Sequence, residues 1–149
     1  MAKLRDIMRP RFLTSVGPDA SAAEAVRKMA EANVGMVAVL EGDQLVGLFS
    51  ERDLLKRVVF NGLVPSETPV SEVMTTRIIT ADVDEDSRSA VEKMDHSNIR
   101  HLPVMETGRL VAMISIRDLL RLELTDRTEE VRYLQEYLFQ PSAEAALAE

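Results

Sequence analysis

A short polar motif occurs twice in this chain and carries residue types that could hold a phosphate and a sugar. Ser50, Arg52 and Asp53 form the first copy, and the same types return 65 residues later as Ser115, Arg117 and Asp118. A serine hydroxyl can donate to a phosphate, an arginine can neutralise its charge, and a carboxylate can accept two hydrogen bonds from a ribose diol. The motif therefore predicts an anion and sugar site in each copy.

The elements around the motif support this site but also allow a structural interpretation. Each copy follows an apolar strand and opens a helix, whose first N–H groups and positive partial charge favour a bound phosphate. Ser-x-x-Asp is also a capping box, in which the two side chains satisfy backbone N–H groups. Capping does not require the arginine that stands in both copies, so we favour the nucleotide interpretation.

The two copies resemble each other well beyond the motif. Ala22–Lys56 and Ser87–Arg121 share 14 identities in 35 aligned pairs, which indicates an internal duplication. Each copy predicts an extended segment, a capped amphipathic helix, an apolar β-hairpin and a second helix. The first copy places these at 12–16, 22–32, 36–49 and from Ser50; the second places them at 78–81, after the cap Asp86, at 101–114 and from Ser115.

The predicted fold class is α+β, with two tandem β-α-β-β-α repeats packed as one pseudo-two-fold module and an extended C-terminal helix. Halves of this length would be marginal alone, which favours packing as one body. We expect repeat 1 at 4–62, a linker at 63–69, repeat 2 at 70–121, and the C-terminal helix and tail at 122–149. Pro103, inside a predicted strand, implies an edge position or a missing ladder bond.

The predicted C-terminal helix has an apolar stripe without a counterpart in the first copy. The stripe either packs on its own module or forms a dimer contact, and both interpretations stay open. Its residues are Leu124, Val131, Leu134 and Leu138.

Composition excludes several functional classes. The net charge of −7, aromatic content of 4% and lack of tryptophan disfavour a nucleic-acid partner. The absence of cysteine excludes disulfides, thiolate zinc sites and thiol catalysis, and favours a reducing compartment. No apolar run approaches the roughly 20 residues of a membrane span, and the first residues are charged rather than signal-like. We expect a cytoplasmic protein without a membrane partner.

Known catalytic and metal-binding patterns are also missing from the sequence. There is no nucleophile elbow, no Walker loop and no acid–base pair other than the two distant motif aspartates. The two histidines lack a metal-ligand spacing. We therefore predict no catalytic residue, no metal site and no enzyme activity.

The segment Gly47 to Asp53, Gly-Leu-Phe-Ser-Glu-Arg-Asp, resembles the signature G-h-x-[S/T]-x-x-[D/N] of cystathionine-β-synthase (CBS) domains. The two copies look like a CBS pair, or Bateman module, over Leu4 to Arg121, and the chain is most similar to stand-alone prokaryotic pairs. The second copy departs from the signature at Ala112, where glycine is expected. That methyl group would stand where a ligand or backbone comes close.

The resemblance implies that adenosine nucleotides bind in two clefts between the repeats, as regulatory ligands rather than required cofactors. Asp53 would then work with Arg77, Ile78 and Ile79, and Asp118 with Leu13, Thr14 and Val16. The middle strands would contact the base through Val37 to Val39 and Leu102 to Val104, a range that includes Pro103. Arg100 and His101 have no basic equivalents in the first copy, where Gly35 and Met36 stand, so they would add charge to one cleft only.

The function that the resemblance implies is a non-catalytic sensor of AMP, ADP, ATP or a related adenosyl ligand, whose binding changes the conformation of the pair. A homodimer and an unknown client protein are the expected partners. The alternative is a scaffold or oligomerisation module with empty clefts that acts through its C-terminal helix. A weaker third option is an enzyme acting on nucleotides.

Overall fold

The computed structural model describes residues 2–8 and 13–138 of the chain. It divides into two compact units, Met1–Ser115 and Ile116–Glu149. The first unit contains both sheets and all helices but the last. In chain order its elements are α1 (Leu4–Ile7), β1 (Ser15–Val16), α2 (Ala22–Ala32), β2 (Met36–Glu41), β3 (Gln44–Ser50), α3 (Glu51–Asp53), a π-helix (Leu54–Val59), a 3₁₀ turn (Pro65–Glu67), α4 (Val70–Val73), β4 (Ala81–Asp82), α5 (Ser87–Ser97), β5 (His101–Glu106) and β6 (Arg109–Ser115).

The described residues form two three-stranded sheets with the same topology, in the orders β1-β2-β3 and β4-β5-β6. In each sheet the first strand is parallel to the second, and the second and third form an antiparallel hairpin. The α+β class and the tandem repeats are confirmed. The predicted first extended segment begins at Phe12, which lies outside the described residues.

Local capping explains where the long helix of each repeat begins and ends. Ser21 accepts a hydrogen bond from Glu24 N at 3.1 Å, and Asp86 accepts one from Ser89 N at 2.8 Å. Each helix then ends at an asparagine with φ of 53°, a left-handed conformation that asparagine tolerates better than most residues. Both helices therefore begin and end at sequence-encoded signals. The C-terminal asparagines are Asn33 and Asn98.

Pro103 shifts the parallel pairing of the second sheet by one position relative to the first. β5 is the central strand, so the predicted edge position is wrong and the missing ladder bond is what the structure shows. In the first repeat, the equivalent Ala38 donates its N–H to Thr14 O at 3.1 Å. Proline has no N–H to donate, and the parallel pairing in the second repeat begins only at Ala81 with Val104.

The repeats exchange their N-terminal segments. Leu4 N, in the N-terminal segment of repeat 1, donates to Glu85 O of the second repeat at 2.8 Å. Val70 N, in the N-terminal segment of repeat 2, donates to Ala20 O of the first repeat at 2.7 Å. Leu4 and Val70 are both fully buried. Each repeat therefore completes the hydrophobic packing of the other, as a pseudo-two-fold module requires.

Arg5 adds an ionic contact to this exchange. It lies beside Asp84 at 3.4 Å and Glu106 at 2.8 Å, both in the second repeat. The hydrogen bond with Asp84 and the charge of Glu106 raise the pKa of Arg5 above its ordinary value. All three side chains are exposed, so the contact orients the segment more than it stabilises it.

One apolar core fills the first repeat and accepts α4 from the second. Phe49, near the end of β3, is fully buried in this core. Apolar side chains of the sheet and of one face of α2 point into the same core. The cluster comprises Val16, Ala22, Ala25, Met29, Val37, Val39, Phe49, Val58, Val70 and Val73.

The second unit begins with α6 (Ile116–Leu138), a single helix that continues directly after β6. Val131 and Leu134, two members of the predicted apolar stripe, are about half exposed. The side chains of Leu124 and Leu138 lie outside the described residues, as does the tail from residue 139 onward. No helix among the described residues is both long enough and apolar enough to cross a membrane.

Candidate functional site

A cleft of about 260 Å³ opens where the end of β3 in the first repeat meets two segments of the second repeat. The first repeat contributes the signature residues, and the second contributes the residues before β4 and before β5. Sequence analysis named eight of the lining residues: Ser50, Arg52, Asp53, Arg77, Ile78, Ile79, Arg100 and His101. The remaining lining residues are Gly35, Met36, Leu48, Glu51, Thr75, Asn98 and Ile99. The structure thus brings Asp53 together with the second-repeat residues expected to accompany it.

Asp53 is the buried acidic group of this cleft, with only 6% of its surface exposed. Its Oδ2 accepts the N–H of Ser50 at 3.0 Å and the hydroxyl of Ser50 at 3.1 Å. Its Oδ1 accepts the hydroxyl of Thr75 at 3.0 Å and lies 3.5 Å from Arg57 Nε. A buried carboxylate needs such donors to remain charged.

The capping box that we considered as the structural interpretation is present. Asp53 N donates to Ser50 Oγ at 3.2 Å, in return for the bonds from Ser50 to the carboxylate. Glu51 N donates to Gly35 O at 3.1 Å. Three of the first N–H groups of the helix, together with the serine hydroxyl, are therefore engaged within the chain. A phosphate in this cleft would need other donors.

Three arginines at the cleft can supply them. Arg52, Arg77 and Arg100 come from three separate segments, and all three are exposed. None forms an ion pair or hydrogen bond with any residue that the structure describes. The acidic groups among the described lining residues are Glu51 and Asp53, and Arg57 already lies against Asp53. The cleft is thus locally basic in a chain of net charge −7.

Ile79 lines the cleft, and its carbonyl accepts no hydrogen bond from the described part of the chain. Ile79 corresponds to Thr14 of the first repeat, whose carbonyl accepts the N–H of Ala38. Pro103 occupies the position of Ala38, and no backbone or side-chain donor among the described residues replaces it. Because proline has no N–H, the carbonyl of Ile79 accepts no hydrogen bond from the residues that the structure describes.

Gly47 packs closely against a side chain of the second repeat. A methyl group built at Gly47 would meet the side chain of Met74, with Cγ at 2.8 Å. The close approach of a ligand at this signature position stays a prediction. The nearest protein group is a methionine from the segment that connects α4 to the cleft wall.

Two further residues of the site were not singled out from the sequence. Arg57 follows Asp53 by four positions, so helical spacing could have indicated it. Its Nη1 also donates to Met74 O at 2.8 Å. Thr75 lies 22 residues from Asp53 and carries no sequence signal, because only the crossing of the two segments brings the pair together.

The other predicted site residues lie elsewhere. Val16, Val37 and Pro103 are buried and do not line this cleft, and Thr14 contributes its carbonyl to the first sheet. Ser115 ends β6, whereas Arg117 and Asp118 lie in the first turn of α6. The second cleft, which would use these last residues with Thr14 and Val16, stays a prediction. Among residues 2–8 and 13–138, no group of three or more His, Cys, Asp or Glu side chains could hold a metal ion.

Comparison with known proteins gives consistent matches to one family. The model of the CBS domain matches twice, at residues 4–59 and 70–124. A curated relative, the CBS domain-containing protein YhcV of Bacillus subtilis, is 32% identical over 119 residues, which cover 80% of this chain and 84% of YhcV.

Solved structures agree with the sequence matches. The CBS-domain protein ATU1752 from Agrobacterium tumefaciens is 31% identical with a TM-score of 0.76, covering 82% of this chain and 99% of that one. The CBS domain protein PAE2072 from Pyrobaculum aerophilum, solved in complex with AMP, is 29% identical with a TM-score of 0.72, covering 78% and 89%. Both similarities extend over most of each chain.

Proposed function

Because this chain belongs to the CBS-domain family, we propose that it is a regulatory module that binds an adenosine nucleotide in the cleft beside Asp53. The observation that carries the proposal is the composition of the cleft. A buried carboxylate, apolar isoleucine side chains and three arginines without an ion-pair partner among the described residues meet in one cavity. These groups match a ribose, a base and a phosphate chain respectively. A similar protein, PAE2072, was solved in complex with AMP.

The free carbonyl of Ile79 supports adenine as the base. The 6-amino group of adenine is a donor, whereas guanine presents a 6-oxo acceptor at the same place. A carbonyl that no donor within residues 2–8 and 13–138 satisfies would therefore favour adenine and disfavour guanine. Ile78, Ile79 and Ile99 offer apolar surface for the faces of the ring.

The arginines support a ligand with a phosphate chain. Most N–H groups at the start of the helix already donate hydrogen bonds within the chain. The phosphates would therefore bind to the guanidinium groups of Arg52, Arg77 and Arg100. Guanidinium groups bind phosphate oxygens through paired hydrogen bonds. The same charges oppose S-adenosylmethionine, whose sulfonium is positive. Among the adenosyl ligands considered, the cleft is best suited to ADP and ATP.

Regulation would follow from the position of the cleft between the repeats. A ligand that touches both repeats shifts their relative arrangement only as far as its affinity differs between the two arrangements. The proposed output is therefore a conformational change read by a client protein or by a second copy, without catalysis. We place this module in the cytoplasm, a location that the absence of cysteine favours.

An exposed apolar surface supports a homodimer. Leu55, Val59 and Phe60 lie on and just after the π-helix, and their exposed fractions are 62%, 58% and 85%. Apolar groups clustered at this exposure are typical of an interaction surface.

Titration of the full-length protein with AMP, ADP, ATP and S-adenosylmethionine tests the proposal. We expect a melting temperature that rises with nucleotide concentration, most for ADP and ATP. Asp53→Ala should weaken nucleotide binding by about 10-fold or more, since it removes a charged acceptor. Asp86→Ala is the matched control, because it removes a helix cap outside the cleft. Absence of binding by every ligand at millimolar concentration would exclude the proposed function.

The scaffold alternative retains one supporting observation, the half-exposed Val131 and Leu134 on α6. If association through this helix is the function, the double variant Val131→Asp/Leu134→Asp should lose its association state. A nucleotide sensor should keep its ligand binding in the same variant. Size-exclusion chromatography and calorimetry on one preparation distinguish the two.

A further inference from the structure

Thr75 donates a hydrogen bond to the carboxylate of Asp53. Its backbone N–H and carbonyl pair with Leu48 O and N at 2.8 and 2.9 Å, which fixes the residue beside the end of β3. Its hydroxyl lies 3.0 Å from Asp53 Oδ1 and 3.3 Å from Oδ2. Both Thr75 and Asp53 line the cleft. The hydroxyl of Thr75 therefore donates to the carboxylate in the way that a ribose hydroxyl of the proposed ligand would.

The two carboxylate oxygens differ in how firmly they are engaged. Oδ2 accepts two bonds from Ser50 as part of the capping box. Oδ1 has no capping bond; its nearest donors are the Thr75 hydroxyl and, at 3.5 Å, Arg57 Nε. A carboxylate offers about four lone-pair directions, so two hydroxyls of a ribose diol cannot be added without displacing a donor. The donor least tied to the local helix is Thr75.

We propose that Thr75 is an internal competitor of the nucleotide, whose ribose diol displaces the Thr75 hydroxyl from Asp53 Oδ1. The proposal rests on the nucleotide function argued above and identifies Thr75 as a residue that sets its affinity. Thr75 acts through Asp53 and needs no contact with the ligand. In the unliganded protein it satisfies a buried charge; in the complex the diol takes over that task.

Displacement of the Thr75 hydroxyl also couples ligand binding to the second repeat. Thr75 follows Met74, whose carbonyl accepts a bond from Arg57 at 2.8 Å, and precedes the segment that supplies Arg77, Ile78 and Ile79 to the cleft wall. Release of the Thr75 hydroxyl removes one of the side-chain bonds between this segment and the first repeat. Binding at Asp53 thereby changes the contacts that hold the second repeat against the first.

Calorimetry on Thr75→Val tests the inference. Valine keeps the shape of threonine and removes the competing hydroxyl, so the tightest-binding of AMP, ADP and ATP should bind about 3- to 30-fold more tightly. The 2′,3′-dideoxy form of the same nucleotide should bind wild type and Thr75→Val equally, because it has no diol to compete. Thr75→Ser keeps the hydroxyl and should match wild type. Thr76→Val, at the exposed neighbour, is the matched control.

Each outcome separates this inference from the proposed function. Equal or weaker binding by Thr75→Val, with wild type binding normally, overturns the competitor role alone. An equal gain for the dideoxy nucleotide also overturns it, since the gain would then not involve the diol. No binding by wild type or any Thr75 variant overturns both. Thr75→Ala, which also lacks the hydroxyl, is measured in parallel in case Thr75→Val does not fold.

Discussion

At the scale of single residues, Asp53 combines a structural and a proposed binding task in one carboxylate. Its Oδ2 completes the capping box with Ser50, and its Oδ1 is held by Thr75. The capping and nucleotide interpretations of Ser-x-x-Asp are therefore compatible, because they use different oxygens. The hydroxyl of Ser50 has no second donor for a phosphate, since it already accepts from Asp53 N and donates its one hydrogen to the carboxylate.

Gly47 leads to a residue-scale prediction about stability. In Gly47→Ala the new methyl group meets Met74 Cγ at 2.8 Å, and the backbone of Met74 is tied to Val70 and Arg57. We expect a loss of about 1–3 kcal/mol in the free energy of unfolding, measured by urea denaturation.

Gly35→Ala provides the control for this substitution. A methyl group at Gly35 has its nearest contact at 3.5 Å, with the flexible carboxylate of Glu51, so its stability should be close to wild type. The double variant Gly47→Ala/Met74→Ala should recover part of the loss through relief of the contact. Equal stability of Gly47→Ala and wild type would show that Met74 moves aside freely.

At the scale of elements, small differences between matched strands make the repeats unequal. Both hairpins carry the same register shift after their fourth residue, between Val39 and Leu40 and between Val104 and Met105. The first strands differ by one position, because Pro103 cannot donate where Ala38 does. A single imino acid thus removes a ladder bond and leaves the carbonyl of Ile79 without a donor among the described residues.

Pro103→Ala tests this element-scale difference. The restored N–H should donate to Ile79 O, as Ala38 does to Thr14 O, and so compete with the 6-amino group of adenine. ATP binding should weaken by about 2- to 10-fold, measured by calorimetry. Inosine triphosphate, which lacks the amino donor, should bind both proteins equally. Unchanged ATP affinity would remove Ile79 O from the base contacts.

At the scale of the whole molecule, exchange of N-terminal segments makes the two repeats of the first unit interdependent. The N-terminal segment of repeat 1 packs on repeat 2, and the N-terminal segment of repeat 2 packs on repeat 1. Each half would be marginal alone. We therefore expect the two halves to unfold together.

Leu4→Ala should therefore destabilise the second repeat as well as its own segment. Leu4 is fully buried, so we expect a loss of about 2–5 kcal/mol in the free energy of unfolding, measured by urea denaturation. Leu63→Ala, at a 42% exposed leucine, is the control and should be near neutral. A near-neutral Leu4→Ala would show that the segment exchange adds little stability.

Much of this architecture could be predicted from the sequence because its signals are local. The duplication, the caps Ser21 and Asp86, and the apolar hairpins all lie within short stretches of chain, and the fold they predicted is confirmed. The signature at Gly47 to Asp53 also indicated the family. Helix and strand signals depend on neighbours in sequence, which is why one sequence was sufficient for them.

Only the tertiary structure decided which groups meet at the cleft. Thr75 reaches Asp53, Met74 covers Gly47, and Pro103 frees Ile79 O because distant segments cross there. No periodicity or spacing encodes such crossings, since they depend on how the repeats exchange segments. The sequence by itself determined a duplicated α+β module with a polar motif at each strand-to-helix turn. The packing of one repeat on the other determined which hydrogen-bonding groups of the first motif are already engaged and which are left for a ligand.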